Sequence, residues 1–202
     1  TGNGVLDAVT TNKTASTSGT LSFYQGSPAD GTAGDGTFLT ASNIPLANAN
    51  ARPLDVTAGD LNGDGTPDLV AVDSVNNRVN VLLGLEDGGY AAATTLSLTT
   101  GGNSRTPVSV ALGDLDNDGD LDVVVASQLD NNVAVFLNNG TGGFTRAANR
   151  TVGTTPTQVV LADVNNDGVL DLLVAHNPTS TAGGKTRGVS VALGNGNGTF
   201  QN

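Results

Sequence analysis

The sequence predicts an all-β protein assembled from repeated four-stranded antiparallel units, and three observations carry that expectation. An Asp- and Gly-rich loop recurs three times at near-even intervals, led by Asp60, Asp114 and Asp163. Each copy is followed by two short apolar runs and then by a glycine turn that ends on an aromatic residue. The composition disfavours helix: eighteen of the nineteen acidic residues are Asp and the one Glu is Glu86. Asp prefers turns and metal sites to helix interiors.

The elements of one unit can be taken in order. Alternating residues over Leu54–Ala58 form a first strand that leads into the acidic loop. The almost wholly apolar Leu69–Val72 forms the second, the Asn-containing stretch Ser74–Asn77 turns the chain, and Val79–Leu83 forms the third. A Gly-Gly turn leads to a fourth strand over Tyr90–Leu98. The joints are short, so neighbouring strands are antiparallel. The second and third strands are apolar on both faces, which requires each sheet to be sandwiched between others. The same order repeats from Pro107 to Phe144 and from Pro156 to Phe200. Four-stranded units repeated in this way read as the blades of a β-propeller.

A partial copy opens the chain. Gly4-Val5-Leu6-Asp7 matches Gly168-Val169-Leu170-Asp171, and an apolar run from Thr20 and a Gly36-Thr37-Phe38 turn follow. Insertion loops are expected over Thr11–Thr20 and Ala29–Gly36. The approximate repeats are 1–52 (a partial blade), 53–106, 107–155 and 156–202. This amounts to three full blades and three strands of a fourth, all within one propeller region.

The loops read Asp60-Leu-Asn62-Gly-Asp64-Gly-Thr66-Pro-Asp68, Asp114-Leu-Asp116-Asn-Asp118-Gly-Asp120-Leu-Asp122 and Asp163-Val-Asn165-Asn-Asp167-Gly-Val169-Leu-Asp171. Oxygen ligands at positions one, three and five converge when the chain turns about an ion, and Gly at position six permits the sharp turn. Position seven (Thr66, Asp120 and Val169) offers a backbone carbonyl, and the carboxylate at position nine closes the cage. All donors are hard oxygens, which selects Ca²⁺ over zinc or copper. The three loops hold eleven of the nineteen acidic residues. Carboxylates clustered in this way repel one another without a cation. About three calcium ions are expected, with a weak or empty fourth site near Asn3 and Asp7. An EF-hand would carry Glu at position twelve. Ala71, Val125 and Val174 stand there instead, inside apolar runs, so the flanks are strands.

Composition narrows the function. There is no Cys, which removes disulfides, zinc–thiolate sites and cysteine nucleophiles. Eight Lys and Arg against nineteen acids leave a net charge of −11, which excludes an electrostatic nucleic-acid binder. No apolar run is long enough to span a membrane as a helix. His176 is the single histidine and falls at a strand end. No nucleophile with its base stands out, so no catalytic residue is assigned and a non-enzymatic role is expected.

The acidic loop, the Gly-Asp that leads into it and the closing Gly-Gly-Phe or Gly-Thr-Phe resemble FG-GAP/VCBS repeats, the blades of integrin-α-like propellers. The resemblance implies structural calcium between the first two strands of each blade. It also implies a secreted or cell-surface setting and a role in adhesion, ligand binding or as an accessory module. Propellers of this family have seven blades, so this region is expected to belong to a larger ring. Further blades would come from the rest of the parent chain or another subunit.

The expected function is therefore a calcium-stabilised extracellular module that binds protein or glycan through propeller loops. The alternatives are a structural subunit of a surface filament or layer, and an accessory region of a secreted enzyme or lectin. Millimolar calcium outside cells would fill loops of modest affinity. The lack of Cys and Met suits an oxidising environment. Composition favours a bacterial source. With neither an initiator Met nor a signal peptide, the sequence reads as mature or internal.

Overall fold

The computed structural model describes residues 7–12, 19–26, 38–48, 50–99, 106–178 and 187–201. Among these residues there is no helix, and fifteen strands form four antiparallel sheets. The first sheet holds β1 (Ala8–Asn12), β2 (Thr20–Tyr24) and β3 (Ser42–Pro45) in sequence order. The second holds β4 (Pro53–Gly59), β5 (Asp68–Asp73), β6 (Arg78–Leu82) and β7 (Thr94–Ser97). The third orders β8 (Pro107–Gly113), β9 (Asp122–Ser127), β10 (Asn132–Asn138) and β11 (Phe144–Arg146), and β12 (Arg150–Thr151) also pairs with β10. The fourth holds β13 (Pro156–Ala162), β14 (Asp171–His176) and β15 (Gly188–Ala192).

The sheets stack face to face in chain order, as blades do. Leu21 of the first sheet packs with Leu69, Ala71 and Leu82 of the second. Val70, Val72, Val79 and Val81 pack against Val110, Val123, Val125 and Phe136 of the third. Val124, Val133 and Val135 pack against Val159, Leu172 and Val174 of the fourth. Each valine alternates in direction along its strand, so one strand feeds two interfaces. Burial of these side chains supplies the main cohesive free energy, roughly 25 cal/mol per Å² of apolar surface removed from water.

The structure corrects several sequence expectations. In the second sheet the fourth strand is shorter than expected: Tyr90 makes a single bridge, to Gly84, before β7 begins, and Phe200 likewise makes a single bridge, to Gly194. In the third sheet the fourth strand breaks into β11 and β12, where the Arg146 guanidinium reaches the Leu98 carbonyl at 3.0 Å and Asn149 Oδ1 at 3.0 Å. Thr11, Asn12 and Thr20 are strand residues, so the expected insertion there is narrower; Ala29–Gly36 lies outside the described residues. Burial on both faces holds for β5, β6, β9 and β10 but fails in the last sheet, where Val189 and Val191 are exposed.

Candidate metal centres between the first and second strands

The three acidic loops join β4 to β5, β8 to β9 and β13 to β14. Each coils about its leading aspartate. Asp60 Oδ2 accepts the Gly65 N–H at 2.8 Å, Asp114 Oδ2 the Gly119 N–H at 3.0 Å, and Asp163 Oδ2 the Gly168 N–H at 2.9 Å. These glycines take φ of +82°, +94° and +84°, which a Cβ would strain. Position four is left-handed too, with φ of 72° at Gly63, 61° at Asn117 and 60° at Asn166. Its restriction to Gly and Asn was a signal in the sequence that the ligand pattern alone passed over.

The position-nine aspartates are buried clasps. Asp122 accepts the Leu115 N–H at 2.9 Å on one oxygen and the Asn138 N–H at 2.8 Å on the other. Asp68 does the same with Leu61 and Gly84, and Asp171 with Val164 and Gly194. Each clasp ties the loop's start to the end of the third strand. Asp7 continues the pattern, accepting the Gly26 N–H at 2.8 Å, while Asn3 lies outside the described residues. Burial pushes Asp122 up to about 6, against the lowering effect of its two N–H bonds. Burial also raises Asp68.

The second loop brings three carboxylates together. One oxygen from each of Asp114, Asp116 and Asp122 lies within 4.8 Å of the others, the sole such group among the described residues. Asp116 Oδ1 is buried and has no hydrogen-bond partner. Burial raises the Asp116 pKa first, and the charges of Asp118 and Asp114 add to it. A buried anionic oxygen without a donor is costly. A cation among these carboxylates would satisfy it, so the donor set fits a hard divalent ion. Asp118 is turned to the Asp120 N–H at 2.9 Å, and the Asp120 carboxylate lies against Gly140.

The first and third loops differ at position three. Asn62 Nδ2 donates to Asp64 Oδ2 at 2.9 Å, and Asn165 Nδ2 to Asp167 Oδ2 at 2.8 Å. Asp64 also accepts the Thr66 N–H and Asp167 the Val169 N–H. These bonds draw Asp64 below the usual carboxylate range, the Thr66 N–H contributing most. Asp163 is lowered chiefly by the Gly168 N–H. Here the asparagine amide bridges the loop.

Neighbouring units hold these loops in place. The Leu61 carbonyl accepts the Gly142 N–H at 3.2 Å, and the Leu115 carbonyl accepts the Gly198 N–H at 2.9 Å. Both donors sit in the closing glycine turn of the next unit. A cavity of about 560 Å³ opens beside the first loop, lined by Val9, Phe23, Thr66, Leu69, Glu86 and Tyr90 among others. Leu112 and Leu121 close over Gly59, and Leu161 and Leu170 over Gly113, but the residues facing the first sheet are Ala58 and Pro67. His176 Nε2 meets Ser190 Oγ at 3.0 Å, tying the end of β14 to the middle of the paired β15.

Comparison with known proteins follows this geometry. The family model described as FG-GAP-like repeat matches three times, over residues 1–71, 60–125 and 114–174. No curated protein sequence matches. A Bacteroides uniformis protein provisionally assigned as a 6-phosphogluconolactonase superposes with a TM-score of 0.70 at 14% identity. That alignment covers 100% of this chain and 54% of the other, so the chain spans about half of that protein. The Photorhabdus luminescens Tc holotoxin pore superposes with a TM-score of 0.50 at 23% identity, over 88% of this chain and 8% of the other. At such identities the likeness is one of fold. With three overlapping matches spread along its length, the chain belongs to the FG-GAP-like repeat family.

Proposed function

We propose that this chain is a calcium-stiffened, non-catalytic extracellular module that binds protein or glycan through the loops of a propeller face. The observation that carries the reading is the group of Asp114, Asp116 and Asp122 with the unpartnered, buried Asp116 Oδ1. Asp114, Asp116, Asp118 and Asp122, with the Asp120 carbonyl, would hold the ion in the second loop. Asp60, Asn62, Asp64, Asp68 and the Thr66 carbonyl would serve in the first. Asp163, Asn165, Asp167, Asp171 and the Val169 carbonyl would serve in the third. A bound calcium ion would neutralise the clustered carboxylates and cross-link the loop.

The role of the chain's own residues is rigidity. The loops join the first strand of the second, third and fourth sheets to its neighbour, and the position-nine clasps reach the third strand. A loop fixed by an ion therefore fixes the sheet ends that carry the exposed turns. Extracellular calcium near millimolar suits such loops. Among the described residues no helix is long and apolar enough to cross a membrane. A larger ring, seven-bladed as in integrin-type relatives, is part of the same proposal.

The test is binding to immobilised glycans and matrix proteins in millimolar calcium, in EDTA, and after calcium is restored. The proposal predicts binding that chelation abolishes and calcium restores. Binding indifferent to EDTA, or none to either class, would count against it.

A further inference from the structure

We infer that the cavity between the first and second sheets binds a small organic cation, an alkylated ammonium group carried on an apolar body. The cavity measures about 560 Å³ and opens beside the first acidic loop. Pockets of about 300–1,000 Å³ take whole small molecules, and one side chain reaching in from a partner would leave most of this space unfilled. Ala58, which lines the cavity, stands where the next two units carry Leu112 and Leu161. Those leucines pack over Gly59 and Gly113 of the sheets before them.

The lining selects the charge of the ligand. Phe23 in β2 and Tyr90 in the turn before β7 both face the cavity. They meet edge to face, with ring centroids 6.0 Å apart and planes at 74°. Two rings set nearly at right angles form a corner of electron-rich faces, and such corners take alkylated ammonium groups. Asp7 and Glu86 add two carboxylates, and among the described residues that line the cavity there is no Lys, Arg or His.

Both carboxylates sit on fixed backbone. Asp7 accepts the Gly26 N–H at 2.8 Å. The turn that carries Glu86 is closed by the Leu85 N–H on the Gly89 carbonyl at 3.0 Å and by the Gly88 N–H on the Leu85 carbonyl at 2.8 Å. Burial raises the Tyr90 pKa first, and the charges of Asp7 and Asp68 raise it further, so the phenol stands in a negative field. An ammonium group is drawn to that field, while buried Leu69 and the Ala58 methyl give its body an apolar wall. An anion of the same shape would meet the two carboxylates. Calcium needs a shell of oxygens, which ring faces and Leu69 do not supply.

The test titrates the full chain, in millimolar calcium, with benzyltrimethylammonium, benzyl alcohol and phenylacetate, and follows the ring protons of Phe23 and Tyr90 by NMR. The cation should bind at least about tenfold tighter than the alcohol, and the anion more weakly than either. Glu86→Gln, at an exposed position, should weaken the cation about two- to fivefold and leave the alcohol unchanged. Ala58→Leu puts back the leucine of the other units. It should abolish binding of both probes without lowering the melting temperature. The inference is overturned if the cation fails to bind, if the three probes bind alike, or if cation binding survives either substitution at full strength. A peptide carrying one trimethyllysine that binds tighter than benzyltrimethylammonium would assign the cavity to a partner protein's side chain, and that too overturns it.

Discussion

The side-chain amide of Asn138 donates to the Leu61 carbonyl at 2.7 Å, joining the end of β10 to the acidic loop of the preceding unit. The same nitrogen reaches the Leu121 carbonyl at 3.1 Å, and the residue is buried. One asparagine thus connects two acidic loops. Asn138→Ala removes a donor from the Leu121 carbonyl and leaves the Leu61 carbonyl only the Gly142 N–H at 3.2 Å, and should lower stability by about 1–3 kcal/mol. Urea denaturation measures this, and an unchanged midpoint would show that the link carries no load.

The position-nine aspartates should be more sensitive than the acidic side chains exposed in the same loops. Asp122→Ala strands the buried N–H groups of Leu115 and Asn138. At about 1–3 kcal/mol for each orphaned group, the loss is expected to be about 2–5 kcal/mol even in chelator. Asp118→Ala removes an exposed carboxylate and should cost less in chelator. Paired melts of the two variants in EDTA check the order.

Thr155 sits at φ 59° immediately before Pro156, a left-handed conformation unusual for a β-branched residue. Its N–H donates to Asn131 Oδ1 at 2.7 Å, joining the residue before β13 to the turn before β10, as the Thr106 N–H before β8 donates to Asn77 Oδ1 before β6 at 2.9 Å. Thr155→Gly keeps the N–H and removes the steric conflict, so it should raise stability by up to about 1 kcal/mol. A fall in the urea midpoint would indicate that the threonine side chain makes a compensating contact.

Calcium affinity should rise with pH through the acid range. Asp122 holds its proton up to about 6 in the folded chain, above its ordinary value of 3.8. This raised value favours the folded state in acid, and the benefit is lost as pH climbs through about 6. Calcium needs the ionised form, so binding must expel that proton. Affinity should fall toward tenfold per pH unit below about 6 and flatten above it. Calorimetry in two buffers of different ionisation enthalpy reads the released proton, and identical heats would contradict the assignment.

Much of the fold was legible because it is written locally and three times. Alternation and apolar runs placed β4, β5, β6 and their counterparts, and the Asp-Gly spacing placed the loops. The break between β11 and β12 was hidden because Arg146 reaches a carbonyl of the preceding unit, a contact set by stacking. That the position-three asparagines Asn62 and Asn165 also donate their amide nitrogens to the carboxylates of Asp64 and Asp167 was not legible in the ligand pattern. The role of Asn138 was invisible for a similar reason: its partner Leu61 lies a full repeat away. The exposed Val189 and Val191 follow the apolar pattern of covered strands, and sequence pattern alone does not say whether a neighbour is there.

The most direct test of the metal claim is the melting temperature of the chain in millimolar calcium and in excess EDTA, for the native sequence and for Asp116→Ala. Ion binding to the folded state alone raises stability by mass action. The native sequence should melt several degrees higher in calcium, and Asp116→Ala should lose a large part of that rise, while Asp120→Ala, which leaves the ligating carbonyl in place, should keep most of it. Identical melting of the native chain in calcium and in EDTA would contradict the account.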